Sequence, residues 1–156
     1  MFQKALERIR DVIASKRLSK HDAYKREWLW KFVDVDLAYW AQCVDLAKHY
    51  VYQVYGTKMW YVGSAKDCSL ASFNRSKNRQ EFEPWMVDLK QGDVIVFWPT
   101  KNNKHWHIGI VDWFDKDWYF LLEQNTKWGG TKTPWNEIKV RKVKRGNVLK
   151  FFRYTA

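Results

Sequence analysis

Cysteine is scarce in this chain. Its 156 residues hold two, Cys43 and Cys68, 25 positions apart. A pair of cysteines does not make a disulfide scaffold. No Cys-x-x-Cys occurs, nor any Cys/His pair at finger spacing, which argues against a structural zinc site. Long apolar runs are missing as well: nothing approaches the roughly 18 residues that a membrane-spanning helix requires. The opening stretch "MFQKALERIRDVIASKR" carries Glu and Asp and has no continuous apolar segment, so no signal peptide is expected. Internal repeats and low-complexity tracts are lacking, and the length suits a single domain over 1–156. Within it, 1–30 read as an N-terminal helical extension and basic linker, and 31–156 as the core. Acidic charge is also in deficit, with 17 Asp and Glu against 28 Lys and Arg, a net charge of +11. Such a field attracts polyanions: nucleic acid, anionic membrane or the teichoic acids of a bacterial wall.

Aromatic residues, by contrast, are abundant. They make up 18% of the chain, eleven of them tryptophan, within a hydrophobic fraction of 46%. That composition is globular. Phe2, Leu6, Ile9 and Ile13 fall on one face of an amphipathic helix. Residues 15–27, "SKRLSKHDAYKRE", read as a linker or exposed turn, and "WLWKFV" (28–33) as packing on the core. A second helix is predicted from Ala41 to about Tyr55, with Val44, Ala47, Val51 and Val54 as its stripe and Gly56 as its stop. "SAKDCSLASF" (64–73) suggests a short third helix with Ser64 as a plausible cap, and 74–83 a polar loop. From there the period becomes strand-like: 93–98, 105–114, 118–125, 137–143 and 148–154 are rich in β-branched and aromatic residues. The "DKD" between the second and third of these predicts a hairpin. Helices first and strands after predict an α+β fold, an antiparallel sheet with helices on one side.

Cys43 stands where the second helix begins. A nucleophilic cysteine needs a stabilised thiolate, a base and a group to orient that base. A helix N-terminus supplies the first through its dipole and free N–H groups, which can also hold an oxyanion. Four histidines compete for the second role. His21 lies in the basic linker, His49 on the helix of Cys43 itself, and His105 and His107 at the start of a strand. His107 leads directly into "IGIV" and is the one that core packing would fix. "LLEQN" offers Glu123 and Asn125 as the third group, on one face by strand parity. Cys on a helix, His on one strand and Glu or Asn on the next is the arrangement of papain-like hydrolases.

The pieces "DVDLAYWAQCVDL", "WYVGSAKD", "GDVIVF", "HIGIV" and "LLEQN" follow one another in an order that resembles the CHAP domain. This is the cysteine, histidine-dependent amidohydrolase/peptidase of phage endolysins and bacterial autolysins, in the papain-like NlpC/P60 superfamily. The likeness covers about residues 31–154. It implies a papain-like fold and roles residue by residue: Cys43 as nucleophile, His107 as base and then acid, Glu123 as the orienting group, and Asn125 assisting. Gln42 would help line the oxyanion site. The implied reaction is cleavage of a peptidoglycan amide through an acyl-enzyme, as endopeptidase or N-acetylmuramoyl-L-alanine amidase. "DVD" also resembles a calcium-binding stretch of some of these lysins, which implies Asp34, Asp36 and Asp45 as ligands with a carbonyl near Ala38. Trp40 stands where calcium-binding relatives can carry a histidine, and an indole offers a metal no lone pair. The chemistry itself requires no cofactor. The implied setting is the host cytoplasm until phage lysis, with the Gram-positive wall as substrate, wall polymers on the basic surface and a monomeric state.

Blander readings accompany each residue. Cys68 has no constellation around it and reads as a structural thiol. The basic tail "IKVRKVKRGNVLKFFRY" alternates as a strand would, so its cations form a solvated face. A basic protein that binds nucleic acid or wall without catalysis is the competing class. No RNA- or DNA-binding motif accompanies the charge, however, and a stable nucleic-acid partner is not expected.

Overall fold

The computed structural model describes residues 18–37, 42–59, 65–69, 79–86, 88–99, 101, 106–125, 137–146 and 148–155. The amphipathic stretch before residue 18, His105, Trp40 and the Ala38 carbonyl lie outside the described residues. So does Ser64.

Among the described residues, two helices precede the sheet: α1 (Lys20–Trp28) and α2 (Cys43–Tyr55). A single 3-10 turn follows at Ala65–Ser69, where a short helix was expected from 64 to 73. The sheet has six strands: β1 (Arg79–Phe82), β2 (Val94–Phe97), β3 (His107–Phe114), β4 (Trp118–Glu123), β5 (Lys139–Lys144) and β6 (Val148–Tyr154). All neighbours pair antiparallel, in the order β1-β6-β2-β3-β4-β5. The α+β fold class expected from the sequence is the one observed. No helix among the described residues is long and apolar enough to cross a membrane.

Two expectations are corrected. The described part of the polar stretch 15–27 is largely helical, because Lys20–Trp28 forms α1. Ser19 Oγ accepts from Asp22 N at 3.0 Å and caps it. Tyr24 and His21 are buried on its inner face, while Trp28 and Leu29 pack partly on the core. The polar loop expected over 74–83 contains β1, an edge strand paired to β6 from Arg79↔Tyr154 to Phe82↔Phe151. Of "WLWKFV", Val33 is buried, but Trp30 and Phe32 are exposed.

α2 follows its predicted stripe. Val44, Ala47, Val51 and Val54 are buried, joined by Leu46 and Tyr50. Each fully buried aliphatic side chain contributes ~1.5–3 kcal/mol. Gly56 ends the helix in the left-handed region (φ 67°), and its N–H donates to Tyr52 O at 3.0 Å. This helical side packs on Val94, Val96, Ile108, Ile110, Leu122 and Phe152. A second buried cluster comprises Leu89, Ile95, Phe97, Val111, Tyr119, Leu121 and Phe151. Strand alternation puts it on the opposite face. The outer strand β5, "KVRKVK", is mostly exposed, and its lysines discourage further strand addition.

Candidate active site

Three elements converge at one end of the sheet. Cys43 opens α2, half-buried against the helical side of the core. Its predecessor Gln42 is extended (φ −97°, ψ 162°) and donates its N–H to Asp45 Oδ2 at 2.9 Å, which fixes where the helix starts. His107 opens β3 opposite Phe97 of β2, and Glu123 closes β4. The hairpin between β3 and β4 sets their register. Asp115 Oδ1 accepts from Asp117 N (2.8 Å) and Trp118 N (2.7 Å), while Asp115 N donates to Trp118 O at 3.0 Å. Gly109 on β3 gives Glu123 its room: a Cβ there would stand 3.2 Å from Glu123 Cγ and 3.3 Å from Leu121 Cδ1.

His107 is 6% exposed, and its Nε2 lies 3.2 Å from Glu123 Oε1. That is ion-pair distance, with the N–H turned off the line of a straight hydrogen bond. Burial alone would lower the pKa of this imidazole. Its contacts with Cys43 and Glu123 outweigh burial and raise it to about 10. Glu123 is fully buried, which by itself would favour the neutral acid. The ion pair with His107 and the hydrogen bonds from Arg141 overcome that cost and hold the carboxyl below its usual range. Arg141, on β5, donates Nε to Oε2 and Nη2 to Oε1 (3.2 Å). Sequence reasoning missed this residue; the signal was a lone arginine among the lysines of an edge strand next to the acid's own.

Strand parity does not extend to Asn125. β4 ends at Glu123, and Asn125 takes a left-handed backbone (φ 56°), so the alternation does not reach it. Its Nδ2 donates to Gln42 Oε1 at 2.9 Å, on the side of the residue before the cysteine. Between them in sequence, the fully buried Gln124 donates to Val33 O (2.7 Å) and Gln42 O (2.9 Å) and accepts from Val33 N (2.8 Å). It pins the end of β4 to the start of α2. His49 and His21 serve packing. His49 Nδ1 is 2.9 Å from Tyr24 Oη and its ring stands edge-on to Trp28, while His21 is buried between Tyr50 and Asp112.

Asp34, Asp36 and Asp45 form a second group. One carboxylate oxygen of each lies within 4.8 Å of the others. Oxygens on opposite sides of one calcium ion stand about 5 Å apart, so the spacing fits. Asp34 Oδ1 and Asp45 Oδ1 are buried without a hydrogen-bond partner. Burial foremost, with Asp36 and Asp34 alongside, pushes Asp45 up to about 6. Lys48 sets its ammonium 3.0 Å from Asp36 Oδ2 and 3.8 Å from Asp45 Oδ1, one positive charge against three carboxylates.

No family model matches the chain. Two curated proteins do. Endolysin PlyTW of Staphylococcus phage Twort is 36% identical over 124 residues, 74% of this chain and 25% of that protein. Endolysin LysK of Staphylococcus phage K is 33% identical over 107 residues, 68% of this chain and 21% of that protein. The chain thus spans about a quarter of the length of these relatives. Among solved structures, endolysin LysIME-EF1 superposes with a TM-score of 0.63 at 20% identity, covering 85% of this chain and 61% of that one. Ly7917, crystallised with the hydrolysing product of MDP, gives 0.60 at 17% identity, covering 88% and 62%. At these identities the structural likeness speaks to the fold.

Proposed function

We propose that this chain, homologous to part of the staphylococcal phage endolysins, is a peptidoglycan hydrolase domain that cuts an amide bond with Cys43 as nucleophile. The observation that carries this reading is the meeting of Cys43, His107 and Glu123 at one end of the sheet. The resemblance to the CHAP domain named the same three residues.

The residues supply each step. A protonated His107 beside Cys43 favours the thiolate, the form that attacks. The sulfur adds to the amide carbonyl and the C=O electrons move onto oxygen. The N–H groups at the start of α2 can receive that charge, helped by the Gln42 side chain that Asn125 holds. As the intermediate collapses, the C–N bond breaks and His107 gives its proton to the leaving amine. Water then attacks the thioester; His107 takes one of its protons, and the acid leaves with Cys43 again a thiolate. Glu123 keeps the imidazole turned toward the sulfur throughout. The bond cut is a stem-peptide or an N-acetylmuramoyl-L-alanine amide.

Asp34, Asp36 and Asp45 would hold calcium, displacing the Lys48 ammonium from Asp36. The buried oxygens of Asp34 and Asp45 that accept no hydrogen bond support this, and the oxygen-only donor set suits a hard cation. The ion would supply positive charge beside the start of α2. Asp45 belongs both to this group and to the helix cap, so the ion acts on structure. The net charge of +11 suits an anionic Gram-positive wall reached after phage lysis.

Turbidity of Gram-positive cells tests the reading, comparing wild type with Cys43→Ala, in calcium and in chelator. Wild type should clear the suspension and the variant should not. Clearing by Cys43→Ala would refute the thiol mechanism. Clearing by wild type that is unchanged in chelator would refute the calcium site.

A further inference from the structure

The line of contacts from Cys43 through His107 does not end at Glu123. A fully buried carboxylate left alone takes up a proton, and a neutral acid no longer attracts an imidazolium. The group that opposes this reaches in from the edge strand. Arg141 pairs in register with Leu121, two residues from Glu123 along β4 and on the same face, so its side chain crosses diagonally to the acid. Its guanidinium takes both carboxylate oxygens: Nη2 bonds Oε1, the oxygen 3.2 Å from His107, and Nε bonds Oε2. A two-pronged contact sets the plane of the carboxylate as well as its charge.

The neighbouring cations of β5 face other partners. Lys139, in register with Glu123, has its ammonium 3.6 Å from Glu137. Lys142 lies over the rings of Trp118, at 4.3 Å, and Phe120. Among the described residues, the charged and titratable groups of this line are therefore Cys43 on α2, His107 on β3, Glu123 on β4 and Arg141 on β5. An ordinary surface ion pair contributes little. Here one end is wholly buried while the Arg141 side chain is 49% exposed, so the guanidinium links a buried anion to solvent.

We infer that Arg141 is a positioning residue of the site: it keeps Glu123 ionised and in plane, and through Glu123 keeps His107 set beside Cys43. The inference rests on the thiol chemistry proposed above, so its test reads the His107 ring without any wall substrate. The ring is followed by NMR across a pH series on the folded full chain.

In Arg141→Met the His107 transition should move to lower pH by about one unit or more, because a neutral Glu123 no longer holds the imidazolium. Arg141→Lys restores charge without the fork and should shift it less. Lys142→Met removes a charge from the same strand away from Glu123 and should leave it in place. A His107 transition in Arg141→Met that coincides with wild type would overturn the inference. If Arg141→Met does not fold, Arg141→Gln carries the same comparison. A His107 ring that responds as expected on a protein that cuts no wall would refute the hydrolase reading while leaving this one standing.

Discussion

Among the described residues, two buried histidines have nearly the same neighbours. His107, 6% exposed, has Glu123 at one nitrogen and contacts Cys43, and Glu123 is held by Arg141. His21, 4% exposed, has Asp112 Oδ1 at 3.0 Å and Tyr50 Oη at 2.7 Å, and Asp112 is held by Lys25 at 2.6 Å. Both lines read cation, acid, imidazole and a group bearing an acidic hydrogen. In both, burial pushes the acid up and its partners bring it back below its ordinary value. The lines part at the far end. Tyr50 is wholly buried, and burial raises its phenol far above the usual range. Cys43 is half-exposed at a helix N-terminus. An acid behind a histidine thus makes a strong structural joint as readily as a catalyst. What separates the two is whether the last group is an accessible nucleophile.

Breaking each line should therefore fail in a different way. The largest effect belongs to His107→Gln: lysis should fall about 100- to 10,000-fold, the usual share of a general acid–base group, with the melting temperature less affected. An equal loss of activity in His21→Phe would erase the distinction. The pH dependence of stability sharpens it. Folded His107 keeps its proton up to about pH 10, whereas the unfolded chain releases it near pH 6.5. The stability from this site is fully present below about 6.5 and is lost as pH rises through about 10. Melting curves from pH 6 to 10 should show that decline in wild type and a flatter one in His107→Gln.

His21→Phe should do the opposite. It leaves Tyr50 and part of Asp112 without a buried partner, at about 1–3 kcal/mol. The melting temperature should fall by several degrees while lysis per folded molecule is unchanged. The smallest effect is expected from Gly109→Ala. Its methyl would press on Glu123 Cγ and Leu121 Cδ1 by a few tenths of an ångström. Lysis should drop a few-fold with little change in melting; an unchanged rate would show that Glu123 tolerates displacement.

The comparison also explains what the sequence could show. The line of Cys43, His107 and Glu123 was legible because each member sits at a boundary that pattern reveals: a helix start, a strand start, and a strand end joined to it by the short "DKD" hairpin. The His21 line was hidden in a stretch so basic that 15–27 read as a linker. Its inward residues, His21, Tyr24 and Trp28, keep helical spacing, but a polar histidine breaks the apolar stripe. β1 was missed for a similar reason, since "RQEF" shows little apolar alternation. Parity could not position Asn125, because it holds only while the strand continues. Arg141 escaped because a fork between strands depends on register, which composition does not encode.

Gln124 has a consequence for how such a domain can diversify. All three of its hydrogen bonds go to backbone atoms, those of Val33 and Gln42. It therefore recognises the path of the chain and is indifferent to the side chains that path carries. The strand bearing Glu123 stays fastened to the helix bearing Cys43 by the backbone of the buried Val33, which any residue but proline could offer if the core admits its side chain. The exposed side chains near it, Phe32 and Val35, can change without disturbing that fastening.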